Sequence, residues 1–144
     1  MKVAEIKISY ANKNPTKVKI VSSNDAYNLI LDHWNDSTLE LFEEVKIILL
    51  NNANVALGVH ELSKGGISQC TVDLKIILSI ALKCLASSII IVHNHPSGTL
   101  SPSENDINIT TKLKKACELV EIKLIDHLII SRYGYLSLVD NGNM

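Results

Sequence analysis

Apolar and polar positions along the chain follow short runs of one period, and the period changes wherever turn-forming residues intervene. Over residues 3–10, Ile6, Ile8 and Tyr10 alternate with Glu5, Lys7 and Ser9, the period of two that predicts a half-buried strand. A turn is expected over residues 12–15, and residues 17–21 alternate again, so the opening reads as a hairpin. Ser22, Ser23, Asn24 and Asp25 then offer caps for a short helix with Ala26, Leu29, Ile30 and His33 on one face and Trp34 packing at its end. Residues 45–50 form a strongly apolar strand, residues 51–54 turn the chain, and residues 55–60 return it. Ser63, Lys64, Gly65 and Gly66 predict a break, followed by a further strand over residues 67–72.

The second half switches to helical spacing. Asp73 is placed to cap a helix whose apolar face is Ile76, Ile77, Ile80, Ala81 and Cys84. Residues 89–92 are continuously apolar, as in an interior strand. A helix is expected from Glu104 to about Val120, with Ile107, Leu113, Ala116, Cys117 and Val120 at helical spacing. Two closing strands, residues 123–130 and 135–138, are joined by a turn at residues 132–134. The pattern is a mixed sheet with about three helices, α/β or α+β.

Composition narrows the function classes. A chain of 144 residues, 47% hydrophobic, suits one domain with a real core. A net charge of −1 supplies no overall basic footprint for nucleic acid. The three cysteines, Cys70, Cys84 and Cys117, form no C-x-x-C pair, so neither a disulfide framework nor a cysteine zinc site is expected. Unpaired thiols and a start without an apolar leader fit a reducing cytoplasm. The apolar stretch over residues 76–92 is interrupted by Lys83 and several serines, which suits a buried helix and strand better than a membrane span.

The chemistry concentrates where that apolar run ends, at His93-Asn94-His95-Pro96-Ser97-Gly98. If the strand persists, His93 and His95 project to the same side. The short loop over residues 96–102 must then bring the next helix start, with Ser103 and Asp106, back beside them. Ser103-x-x-Asp106 is also a capping box, a sufficient structural reason for both residues. Two imidazoles and a carboxylate nevertheless make three of the ligands of a catalytic zinc, whose fourth position holds water. Such a site needs a proton acceptor, and Glu43 and Glu44 stand just before the apolar strand at 45–50. A solvated strand end explains either glutamate equally well, so the residues alone leave this role unassigned.

The pattern H-x-H-P-S-G followed by P-S-x-x-D resembles the JAB/MPN (JAMM) zinc metalloenzymes, and specifically their RadC-like branch. His93, His95, Ser103 and Asp106 match the H-x-H-x7-S-x2-D motif at every spacing. Residues 63–66, Asp126, His127, Tyr135 and Ser137 match further features of that branch. The resemblance covers residues 40–142, with residues 1–40 as an N-terminal extension packed on a single domain. It implies an α/β fold of three layers, α-β-α, like that of cytidine deaminases, with a mixed central sheet. It implies Zn2+ held by His93, His95 and Asp106. It also implies a catalytic glutamate, which falls on Glu43 when the strands are aligned, with Glu44 one residue away. Val45 stands where the branch commonly has an aromatic residue. Ser103 matches the serine that helps stabilise the oxyanion.

The implied reaction is hydrolysis of an amide bond in a peptide or isopeptide-linked protein. A DNA-processing accessory is the alternative attached to the RadC branch, although residues 1–40 show no helix-hairpin-helix region and the aromatics are too few for a stacking platform. A nucleobase deaminase would need H-x-E and P-C-x-x-C, and both are missing. For His127 a satisfied structural histidine is expected, with a partner to a metal-binding ring as the second reading.

Overall fold

Side chains along the two innermost strands alternate between two separate apolar cores, and this alternation divides the molecule into layers. The computed structural model describes residues 1–65 and 72–144. Its elements are α1 (Ser23–Leu31), β1 (Glu44–Leu50), β2 (Ala56–Lys64), α2 (Leu74–Lys83), β3 (Ser88–Asn94), α3 (Glu104–Leu119), β4 (Lys123–Ser131) and β5 (Gly134–Ser137). The strands form one sheet in the order β2-β1-β3-β4-β5. Among the described residues only β3 and β4 run parallel, joined through α3, and the other neighbours are antiparallel. The fold is α/β with a mixed sheet, as the resemblance implies.

Val45, Ile47 and Leu49 of β1, with Ile89 and Ile91 of β3, pack beneath α2 and α3 against Ile77, Ala81, Leu113 and Cys117. The intervening Ile48, Leu50, Ile90 and Val92 face the other way, onto Ala26 and Ile30 of α1 and onto Trp34. Both strands are buried along their whole length because each has a covered face on either side. That explains their continuously apolar sequences. Trp34 joins the α1-side core, as expected of a packing residue.

The expected opening strand over residues 3–10 does not form. Ile6 and Ile8 are 89% and 71% exposed, and residues 1–18 belong to no strand. Alternation predicts a strand only where a partner buries one face, and here the segment meets β2 only at its end, where the Tyr10 hydroxyl donates to Leu57 O. Its ladder contact comes later, where Lys19 bridges Val55 and the N–H of Ala56 donates to Val18 O at 2.8 Å. The expected break at Ser63 is also displaced. β2 continues to Lys64, paired with Glu44, and absorbs a register shift opposite Val45 and Lys46. Of the residues placed on the apolar face of α2, Ile77 and Ala81 are buried as expected, whereas Ile76 is 45% exposed. The strand expected over residues 67–72 lies outside the described residues except for Val72, as does Cys70. Among the described residues no helix is long and apolar enough to cross a membrane.

Candidate metal centre

The site forms where β3 leaves the sheet. His95 lies one residue past β3, yet its N–H still donates to Ile130 O at 3.2 Å, so the extended backbone persists and both histidines share a side. A tight turn follows, closed by the Gly98 N–H donating to His95 O at 2.8 Å. Pro96 occupies its second position, which suits the fixed proline φ. Gly98 has φ +83°, a left-handed conformation that a side chain would strain. The turn carries Thr99 back over the ring of His95, whose Nδ1 donates to Thr99 O at 2.6 Å. A carbonyl can only accept, so the proton of neutral His95 sits on Nδ1 and Nε2 presents its lone pair to the site.

Asp106 comes from the first turn of α3, where the helix end stabilises its charge. The capping box is present in full. Ser103 Oγ accepts the Asp106 N–H at 3.1 Å, and Asp106 Oδ2 accepts the Ser103 N–H at 2.7 Å. The same carboxylate serves the site, since Oδ1 lies 3.2 Å from His93 Nε2 and Oδ2 lies 3.3 Å from His95 Nε2. The two Nε2 atoms are 2.9 Å apart. Ser103 stands exposed at the N-cap, and its hydroxyl is engaged in the cap.

Glu43 completes the group. Val45 pairs directly with His93, so both side chains lie on one face, and Glu43, two residues earlier, follows on that face. One ligand atom from each of Glu43, His93, His95 and Asp106 lies within 4.8 Å of all the others. Glu44 points to the opposite side, where its buried carboxylate meets Lys64 Nζ at 3.4 Å.

Asn94 went unremarked in the sequence, although it sits between the two histidines. Fully buried on the α1 side, it uses its whole amide. Nδ2 donates to Leu39 O and Phe42 O, both at 2.7 Å, and Oδ1 accepts the Glu44 N–H at 2.7 Å. It therefore pins the segment that delivers Glu43. A buried Asn within an apolar strand was the available signal.

The electrostatics separate the roles. Burial would raise the Asp106 carboxyl, but the His93 and His95 rings beside it and the Ser103 N–H outweigh that and hold the group well below the usual carboxylate range. The hydrogen bond to Asp106 raises the His95 pKa against the opposing effect of burial. Burial raises Glu43, with the imidazoles opposing, and this moves it in the direction useful to a base near neutrality. A small cavity of about 20 Å³ opens between Glu43, His93, Asp106 and His127, room for one water-sized particle. Beside His95 a wider cleft of about 300 Å³ runs past Leu39, Pro96 and Leu100 to Arg132.

His127 reaches the site through a bulge. Ile89 pairs with Leu124 but Ile90 with Asp126, leaving Ile125 as an extra residue in β4. Without it, period two would turn His127 toward α1. With it, His127 pairs with Ile91 and lies beside His93, 2.7 Å from Nδ1 to Nε2. Burial lowers its pKa to about 3, so the ring is neutral. Neighbouring Asp126 is structural: burial raises its pKa, and it accepts from Ser137 Oγ at 2.5 Å and from the Val139 N–H at 3.2 Å.

Comparison with known proteins gives the chain a family. A UPF0758 protein of Flavobacterium johnsoniae is 40% identical over 124 residues, 86% of this chain and 53% of its own length. One from Porphyromonas gingivalis is 40% identical over 129 residues, 89% and 56% respectively. One from Staphylococcus haemolyticus is 35% identical over 133 residues, 92% and 57%. The chain thus spans about half the length of these relatives. The family model described as the RadC-like JAB domain matches residues 20–143, a span that takes in α1 as well as the motif. With its sheet, its helices and its His–His–Asp cluster in that span, the chain belongs to the RadC-like JAB domain family.

Proposed function

We propose that this domain is a zinc-dependent hydrolase of amide bonds, of metallopeptidase or isopeptidase type. The observation that carries the reading is the convergence of Glu43, His93, His95 and Asp106 within 4.8 Å. The donor set fits a divalent ion. Ligands about 2.0–2.1 Å from a tetrahedral zinc lie about 3.3 Å from one another; here Asp106 Oδ1 is 3.2 Å from His93 Nε2, Oδ2 is 3.3 Å from His95 Nε2, and the two Nε2 atoms are 2.9 Å apart. His93, His95 and Asp106 would hold the ion. When bound, zinc supplies Lewis acidity, polarising a carbonyl and acidifying water to a pKa of about 7.

The protein's own groups do the rest. Glu43, half-buried and with its pKa raised by burial, accepts a proton from the attacking water and delivers it to the leaving amine. Asn94 keeps that carboxylate facing the reacting atoms by fixing the segment before β1. The cleft between Pro96, Leu100 and Arg132 borders His95 and is wide enough for an extended peptide segment on one side of the scissile bond.

The test is zinc content together with cleavage of a peptide and isopeptide panel by the wild type and Glu43→Gln. Cleavage by the wild type, and its loss by at least about 100-fold in a variant that still binds zinc, is the expected result. Wild-type protein that takes up zinc and cleaves nothing, but binds DNA with steep salt dependence, would replace this reading with a DNA-processing accessory role.

A further inference from the structure

We infer that His127 and Thr110 form a proton-directed relay that fixes the ring of His93 in the tautomer that presents Nε2 to a metal ion. The inference rests on the metal reading of the site and adds two positioning residues to it.

The direction of each bond follows from what its partners can do. Thr110 lies one turn beyond Asp106 in α3, and its Oγ1 stands 2.7 Å from Asp106 O. The carbonyl can only accept, so the single hydroxyl proton of Thr110 is spent there. The same oxygen lies 2.5 Å from His127 Nδ1. With its proton committed, Thr110 Oγ1 accepts, and His127 carries its proton on Nδ1. His127 is 2% exposed and its two ring nitrogens meet Thr110 Oγ1 and His93 Nδ1, neither of them a carboxylate, so a neutral ring is the form that burial permits. Its Nε2 is then a lone pair, 2.7 Å from His93 Nδ1. His93 must donate from Nδ1, which leaves its Nε2 lone pair directed at Asp106 and His95. The chain of bonds runs from a ligand-bearing helix, through a neighbouring strand, to a ligand on the central strand.

The relay also explains two features that packing alone does not. The extra residue Ile125 puts His127 on the site face of β4, although an apolar side chain would pack there without it. Thr110 is buried in α3 with its hydroxyl satisfied on both sides.

The experiment uses the whole chain, chelator-treated and then titrated with zinc against a chromophoric competitor. Nitrogen-15 NMR of the metal-free wild type should find the His93 proton on Nδ1. His127→Phe and Thr110→Val should weaken zinc binding by about 10–100-fold, the range for partners that orient a ligating histidine. A His93 ring whose Nδ1 carries no proton in the wild type would overturn the relay whether or not either variant folds. Unchanged zinc affinity in both variants, with normal uptake by the wild type, would do the same. Failure of the wild type to bind zinc would instead overturn the metal reading, and the relay's role with it.

Discussion

The Nε2 atoms of His93 and His95 stand 2.9 Å apart, each also facing an oxygen of the same Asp106 carboxylate at 3.2 and 3.3 Å. Electron-rich atoms at that spacing need a cation between them, either a proton or a metal. Without metal, a proton takes that place more readily because the hydrogen bond to Asp106 raises the His95 pKa, while Asp106 stays ionised. Zinc must displace that proton. Zinc affinity should therefore weaken by about tenfold for each pH unit below the His95 pKa and level off above it. Competition titrations from acid to mildly alkaline pH check this. A flat profile would show that no proton guards the site.

Asn94 makes a second prediction, about activity without metal loss. Its amide holds Leu39 O, Phe42 O and the Glu44 N–H. Asn94→Ala would leave these groups unpaired at a cost of about 1–3 kcal/mol and would release the segment bearing Glu43. Zinc content should remain near wild type while turnover falls by more than the change in Tm explains. Glu44→Gln is the control, since its carboxylate faces Lys64 on the other side of the sheet. Equal losses in both variants would show that the segment matters only for folding.

The difference between Asn94 and the histidines shows what a sequence carries. His93, His95 and Asp106 were readable because one strand and one short loop bring them together, so their spacing is their geometry. β1 and β3 were readable too, because burial on both faces leaves a continuous apolar run. The choice of Glu43 over Glu44 needed the register of β1 against β3, in which Val45 meets His93. His127 needed a bulge, and a single extra residue reverses which side chains face the core. The segment containing Ile6 and Ile8 misled for the opposite reason: its alternation is genuine, but it joins no ladder and both isoleucines stay exposed.

Ser103 permits a clean separation of two roles. Its hydroxyl accepts the Asp106 N–H at the start of α3, and this cap is worth about 1 kcal/mol. Ser103→Ala should lower stability by that amount and loosen zinc binding slightly, because the cap also orients Asp106. Ser103→Asp restores a capping acceptor. If it recovers stability but not turnover, the hydroxyl acts on the substrate as the family resemblance implies. Recovery of both would confine Ser103 to the cap.

Acid stability gives the last prediction, through His127. Its pKa falls from 6.5 to about 3 on folding because burial disfavours the charged ring. Below pH 6.5 the unfolded chain therefore binds a proton that the folded chain refuses, and stability is lost as the pH drops through this window. The slope approaches about 1.4 kcal/mol per pH unit. His95 shifts the other way, so its contribution is already complete below 6.5 and is lost only as pH rises through its folded-state value. The raised Asp126 and Glu43 oppose the His127 trend as pH falls toward the carboxylate range. Denaturant melts between pH 6.5 and 5 thus read His127 most directly. The metal-free wild type should lose stability across that interval, and His127→Phe should lose much less. Parallel slopes in the two proteins would mean that His127 is protonated in the folded state, and the neutral ring assigned to it would have to be abandoned.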